Sequence, residues 1–367
     1  MASNFVSSQS TSHFRKILVV IKQTAFEEYS QLRLRGKAPK ALRWPRLENR
    51  YKAHKACVNN LTGILRHHNI EFSCVNRVEL DRQHLANVDM VMAVGGDGTC
   101  LSAAHFLDHG TIPLLGVNSD PIKESDRDTK KKTDERRSHG ALCMCTADNM
   151  SDQIAKVLYG GGIIQERARI QCTVKSTFSE TRLVPALNDV LIANPSPAAV
   201  SRFRMGFAEE VDVDMRNDGI SPKPGSSFEE RSTLQYKKYG TVTRFGRVPY
   251  DIKKSLNIWG SGIWISTATG ATAAMAAAGG QPMDLSSDDI QYYIREHIYE
   301  HGEQKSKDID NGFVATGEQL HMRWNSQKGM IFMDGDHMTH ELVLGDEILI
   351  NGNAPPLQLF VHAYDDE

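Results

Sequence analysis

"VMAVGGDGTCLSAAHF", residues 91–106, is an apolar run, a glycine turn enclosing an aspartate, and then a segment of helical composition. The order predicts a buried strand ending near Gly95 and a helix opening after Gly98, with Gly110 placed where a C-cap would fall. Glycine turns of this kind receive phosphate, because bare backbone N–H groups approach the anion closely. Asp97 runs against that use, since a carboxylate there weakens ground-state phosphate binding by roughly a kcal/mol or more. It makes sense if it takes a proton from an attacking hydroxyl or bridges to a metal, both roles in phosphoryl transfer. An Asp-Gly turn without chemistry is the plain reading, and the flanking glycines in strand–turn–helix context argue against it.

The surrounding chain extends the pattern. "KILVVI" (Lys16 to Ile21) is a β-branched run suited to a strand buried on both faces. "NIEFSCVN" and "IPLLGVN" supply two more strands and "LDRQHLANV" a short helix. The basic stretch from Ser30 to Arg50 carries Pro39 and Pro45, and is expected as a solvated loop leading into a helix from about Leu47. Strands alternating with helices imply a parallel sheet, whose carboxyl edge, where the glycine turn lies, is the ligand edge.

Beyond a helix expected from Met150 to Tyr159, the character changes. "ARIQCTVKS", "RLVPALNDVLIA", "RFRMGFAEEVDVDM", "GIWIST", "GMIFMDG" and "DEILING" read as short strands separated by turns, hence a mainly antiparallel second domain. The expected organisation is an α/β domain with a parallel sheet over 14–148, a mainly-β domain over 149–350, and a tail over 351–367 that packs back on the first. The charged stretch 122–138 and the Gly-, Pro- and Ser-rich stretch 216–254 are expected as surface insertions.

Composition narrows the function. The 43 basic and 45 acidic residues nearly cancel, so no global basic field recruits nucleic acid. No apolar run is long enough to span a bilayer. Six scattered cysteines read as reduced intracellular thiols, and "ALCMC" as an alternating strand instead of a metal site. The acid-free, serine-rich start reads as a tail. A cytoplasmic protein is expected, with no membrane partner, no protein-held metal, and homodimeric assembly. Neither the P-loop pattern nor G-x-G-x-x-G occurs.

The remaining pattern, G-G-D-G-T at Gly95 to Thr99, resembles that of NAD kinases, of diacylglycerol and sphingosine kinases and, with serine in the last place, of phosphofructokinases. "LGVN" (Leu115 to Asn118), "ALNDVLIA" (Ala186 to Ala193), "GIWISTATGATAAMAAAGG" (Gly262 to Gly280) and "MDG" (Met333 to Gly335) follow in the order seen in NAD kinases. "NSDP" and "NPSPAAVSRF" resemble the plant NADH kinase subgroup.

That resemblance implies an NAD kinase-like fold and ATP-dependent phosphorylation of the adenosine ribose 2′-hydroxyl of NADH or NAD, with Mg2+ accompanying ATP. It implies Asp97 as the base and Gly95, Gly96, Gly98, Thr99 and Asn118 at the phosphates. Asn188 would meet the adenine edge, Asp189 the ribose hydroxyls, and Thr269, Gly270, Thr272 and Ala273 the base. A helix N-terminus beside Gly270 would offer unpaired N–H groups. Ala268, Ala271 and Ala274 depart from proline, serine and tyrosine of the wider pattern, and Ser261 from an aspartate. Loss of the aspartate and the tyrosine removes groups that favour a cation, so the reduced dinucleotide is the expected preference. The alternatives are a diacylglycerol-type lipid kinase and a non-catalytic dinucleotide-binding regulator.

Overall fold

Strand β1 (Lys16–Ile21) lies inside a seven-stranded sheet, and its four inner residues are completely buried. The continuous apolar run is what burial on both faces requires. The computed structural model describes residues 12–121, 139–210, 242–299 and 310–362. The charged stretch 122–138, and residues 216–241 of the second expected insertion, lie outside them. The chain divides into two units, of which the second is Arg167–Pro355; the first runs to Glu166 and resumes at Pro356. That division falls later than the 148/149 boundary read from the sequence, because the strand after the 150s helix still belongs to the first sheet.

In the first unit α1 (Ala25–Leu34), α2 (Trp44–His67), β2 (Glu71–Asn76), β3 (Met90–Gly95), α3 (Asp97–Ala104), β4 (Leu114–Asn118), β5 (Cys145–Thr146), α4 (Met150–Leu158) and β6 (Ile163–Arg167) follow β1. The last strand among the described residues, β20 (Leu357–Val361), joins the same sheet. Its order is β2-β1-β3-β4-β20-β6, with β5 on β4. The β2–β1, β1–β3, β3–β4, β4–β5 and β4–β20 pairings are parallel.

Several local expectations change. Helix α1 takes up Ser30 to Leu34, opened by a capping box in which Glu27 N–H donates to Thr24 Oγ1 at 3.3 Å and Thr24 N–H to Glu27 Oε2 at 2.9 Å. Helix α2 starts at Trp44, and Pro45 sits in its first turn, where a missing N–H costs nothing. "LDRQHLANV" makes only a 3₁₀ turn, Arg82–Leu85. Helix α3 ends at Ala104 with His105 as its cap, so Gly110 (φ 67°) serves a later turn. Only Cys145–Thr146 of the "ALCMC" region is strand, because the Cys143 N–H turns back to Gly140 O at 3.0 Å.

The second unit holds β7 (Gln171–Lys175), β8 (Glu180–Arg182), β9 (Asp189–Ala193), β10 (Ser201–Glu210), β11 (Val242–Phe245), β12 (Val248–Gly260), β13 (Gly262–Ser266), α5 (Ala274–Ala278), β14 (Ile290–Arg295), β15 (Asn311–Val314), β16 (Gln319–Trp324), β17 (Lys328–Met333), β18 (Thr339–Val343) and β19 (Glu347–Asn351). One sheet has the order β11-β12-β10-β16-β19-β7-β8 and the other β15-β14-β13-β9-β17-β18. Phe203, Trp324, Ile192, Ile263 and Ile331 share the core they supply. Strands β11 and β12 correct the insertion expected up to Lys254. Their alternation is blurred by a register shift between Met205 and Phe207 on the partner strand.

Candidate functional site

The order β2-β1-β3-β4 places β2 and β3 on opposite sides of β1, and a crevice at the carboxyl end of such a reversal is a ligand position. Three segments reach it. Lys22 follows β1, Gly95 to Asp97 link β3 to α3, and Asn118 to Asp120 leave β4. Backbone bonds join them: Lys22 N–H donates to Val94 O at 3.0 Å and Ser119 N–H to Gly95 O at 3.1 Å.

The turn is built by close approach and not by left-handed backbone. Gly96 is extended (φ −176°). A Cβ on Gly95 would lie 2.3 Å from Thr99 Oγ1 and 2.8 Å from Lys22 Cβ, whereas one on Gly98 would meet nothing nearer than 4.0 Å. Asp97 opens α3, where the helix dipole favours negative charge. Its Oδ1 accepts the Leu142 N–H at 2.8 Å and its Oδ2 the Gly140 N–H at 3.0 Å. The carboxylate therefore occupies amide donors of its own and is held in a set orientation. Buried Asn118 accepts the Asp120 N–H at 3.2 Å through Oδ1, and a Cβ on Gly140 would come within 2.8 Å of its Nδ2. Thr99 is buried beneath the turn. All six residues assigned to this turn in the sequence thus gather at one edge.

The structure adds cations that sequence reasoning missed. Burial pushes the Lys22 ammonium below the ordinary lysine range; Asp120 opposes that shift, and Arg50 and Arg77 reinforce it. Arg50 Nε lies 3.4 Å from Asp120 Oδ2. His54 Nδ1 is 2.8 Å from Ser119 Oγ, and burial, with Lys22 and Lys55 nearby, lowers its pKa to about 4, so the ring is neutral at pH 7. Lys22, Thr24, Arg50, His54, Gly95 and Ser119 line a cavity of about 60 Å³, room for a few waters or one small anion. A signal was available: Lys22 is the first polar residue past β1 on an edge already identified as the ligand edge.

In the second unit the Asn188–Asp189 pair stands where β9 begins. Asp334, in a left-handed turn (φ 52°) after β17, accepts three backbone N–H groups: Leu187 at 2.8 Å through Oδ2, and Asn188 at 2.7 Å and Asp189 at 3.1 Å through Oδ1. From the other side the Thr267 hydroxyl donates to Leu187 O at 2.6 Å, and its oxygen accepts the Gly270 N–H at 3.2 Å. A Cβ on Gly270 would fall 2.1 Å from Asn188 O. The Asn188 side chain stays half-buried, while Asp189 is buried and its pKa is raised to about 7, by desolvation first and then by Asp334.

The Thr/Gly-rich segment differs from expectation. It makes a 3₁₀ turn, Gly270–Thr272, and only the five-residue α5, so the expected helix N-terminus beside Gly270 is absent. Ala273 (φ −99°, ψ −122°) leaves the helical region and breaks the run. Thr269 is half-buried and Thr272 and Ala273 are exposed. Ala268 and Ala271 are buried, so their small size serves packing. Asp334 was legible as part of "MDG", but its hold on residues 187–189 was not.

The family model for the ATP-NAD kinase N-terminal domain matches residues 11–120. The NADH kinase of Arabidopsis thaliana is 33% identical over 352 residues, covering 95% of this chain and 96% of its own. The chain belongs to the NAD kinase family. A probable NADH kinase of rice (Oryza sativa subsp. japonica) is 32% identical over 329 residues, 89% of this chain and 87% of its own. The fold of this family member is shared by two solved structures. Yeast NADH kinase complexed with NADH has a TM-score of 0.58 at 13% identity, covering 98% of this chain and 92% of its own. An NAD kinase from Archaeoglobus fulgidus in complex with ATP has a TM-score of 0.55 at 15% identity, covering 94% and 93%. Among the described residues no helix is long and apolar enough to cross a membrane, and no group of three or more His, Cys, Asp or Glu is placed to hold a metal ion.

Proposed function

We propose that this member of the NAD kinase family transfers the γ-phosphoryl group of ATP to the adenosine ribose 2′-hydroxyl of NADH, and of NAD, giving NADPH or NADP. The observation that carries the reading is the Asp97 carboxylate, oriented by the Gly140 and Leu142 amides beside a cationic crevice. An ionised carboxylate has about four acceptor sites. The Gly140 and Leu142 amides orient it, and a carboxylate held in this way can receive the hydroxyl proton. Lys22 supplies positive charge where the transferring phosphoryl group would lie, and Gly95, Gly96, Gly98, Thr99 and Asn118 shape that place. Asn188 reads the adenine edge, Asp189 accepts from ribose hydroxyls, and Thr269, Gly270, Thr272 and Ala273 form the adjoining wall.

Mg2+ arrives with ATP. It is usually held by one or two carboxylates and the phosphates themselves. When bound, it neutralises charge on the phosphates. A cytoplasmic location agrees with six free cysteines. Homodimeric assembly agrees with exposed Trp259, Ile298 and Phe313. Nothing among the relatives favours a lipid kinase or a silent regulator.

Asp97→Asn is the test. Turnover of NADH with ATP and Mg2+ should fall by about 10²–10⁴-fold, the usual cost of losing a general base, with the Kd for NADH little changed. Near-normal turnover would refute the role of Asp97.

A further inference from the structure

Two thiols lie directly under the segment that holds Asp97. Cys100 is in α3, three residues beyond Asp97, and Cys143 follows Leu142, whose N–H binds Asp97 Oδ1. Their Sγ atoms are 3.9 Å apart, and Cys100 Sγ also lies 3.6 Å from Leu142 O. Gly116 of β4 makes the meeting possible. A Cβ there would come within 2.7 Å of Cys100 Sγ and 2.8 Å of Cys143 Cα. Cys143 is half-buried, whereas Cys100 is fully buried. Cys57 and Cys145 are buried too, with thiols pushed up to about 11 and 12 by burial, and the Cys100 thiol is raised as well, by its contact with Cys143 first and then by burial, so what sets Cys100 apart is its place 3.9 Å from the half-buried Cys143.

We propose that Cys143 and Cys100 form a peroxide-responsive dithiol whose closure ties the Gly140–Cys143 segment to α3 and slows the kinase. Cys143 gives up its proton, and the thiolate attacks one peroxide oxygen; the O–O bond breaks, the sulfur becomes a sulfenic acid, and the hydroxide released from hydrogen peroxide takes up that proton and leaves as water. The Cys100 thiol then attacks that sulfur. The S–O bond breaks, the hydroxide leaves with the Cys100 proton as a second water, and the S–S bond forms. Cys100 and Cys143 together lose two electrons to the peroxide. The sulfurs must close from 3.9 Å to about 2.05 Å. The movement falls one residue from Leu142 and therefore on the support of Asp97. Displacing a reacting group by on the order of 1 Å can cost about 10²-fold in rate.

The pair stands on its own geometry, and only the effect on turnover rests on the reading of Asp97. The test treats the full-length protein with hydrogen peroxide and maps its cysteines by mass spectrometry after alkylation. A crosslinked Cys100–Cys143 peptide pair is expected, lighter by two hydrogen atoms. Turnover should fall roughly tenfold or more and return with dithiothreitol. Cys143→Ser should keep basal turnover, yield no crosslink and resist inactivation. Asp97→Asn should still crosslink, so that failure of the catalytic reading leaves the dithiol testable. Two alkylatable thiols after peroxide, or sulfinic acid at Cys143 without a crosslink, would overturn the proposal. A crosslink with unchanged turnover would overturn the switch.

Discussion

Asp334 holds Asn188 by its backbone: Oδ1 accepts the Asn188 N–H at 2.7 Å. The residue assigned to the adenine edge is thus positioned by a carboxylate 146 residues later in the chain, which reaches Leu187 and Asp189 as well. Hydrogen bonds to a charged acceptor contribute about 1.5–3 kcal/mol each, more than neutral ones. Asp334→Ala should therefore lower stability by roughly 2–4 kcal/mol, repulsion with Asp189 being relieved at the same time. The KM for NADH should rise. Denaturant melts and steady-state kinetics check both, and unchanged values would show that the three amides find other partners.

Asp189 adds a pH dependence. Its folded pKa is about 7, above the ordinary aspartate value of 3.8, so the native state binds this proton more tightly than the unfolded chain does. The stabilisation it contributes is full below about pH 4 and is lost as pH rises through about 7. Thermal melts should show Tm falling across that window, and Asp189→Asn should flatten the slope. A wild-type profile no steeper than that of Asp189→Asn would contradict the assignment.

Lys22 is half-buried beside the Gly95 turn, and desolvation lowers its pKa. It must carry its proton to offset phosphate charge, so activity should decline on the alkaline side below the ordinary lysine range. Lys22→Met should reduce kcat/KM by roughly 10-fold or more, the scale of one lost charge-assisted contact in a partly dry site. The same variant should lack the alkaline limb. A pH–rate profile decides it: an unaltered limb in Lys22→Met assigns that titration to another group.

Gly270 has no room for a side chain, since its Cβ would lie 2.1 Å from the Asn188 carbonyl oxygen. That neighbour is backbone, pinned from its other face by Asp334. Gly270→Ala should cost at least about 1–3 kcal/mol, the usual range for overpacking. It should also weaken NADH binding without affecting the turn at Gly95. Calorimetric titration with NADH checks this, and wild-type affinity would show that residues 187–189 shift without consequence.

The sequence by itself determined the parallel sheet and the turn on it. ILVVI (17–21) and MVMAVGG carry no polar side chain, which only strands covered on both faces require, and Gly95 to Thr99 had to lie at a strand's carboxyl end. It also named Asn188 and Asp189 through motif order. Only the tertiary structure decided what surrounds them. Lys22 and His54 reach the crevice because β1 pairs with β3 and α2 brings His54 against Ser119 past the end of β4, a juxtaposition that no local spacing encodes. Asp97 meets Gly140 and Leu142, and Asp334 meets residues 187–189, across separations over which sequence periodicity is silent. Strands such as β12 were illegible for a related reason: an edge-proximal, twisted ribbon with a register shift buries too few side chains on one face to print a period of two. Periodicity reports burial, and where pairing rather than burial holds a strand or a carboxylate, the partner's position has to be known.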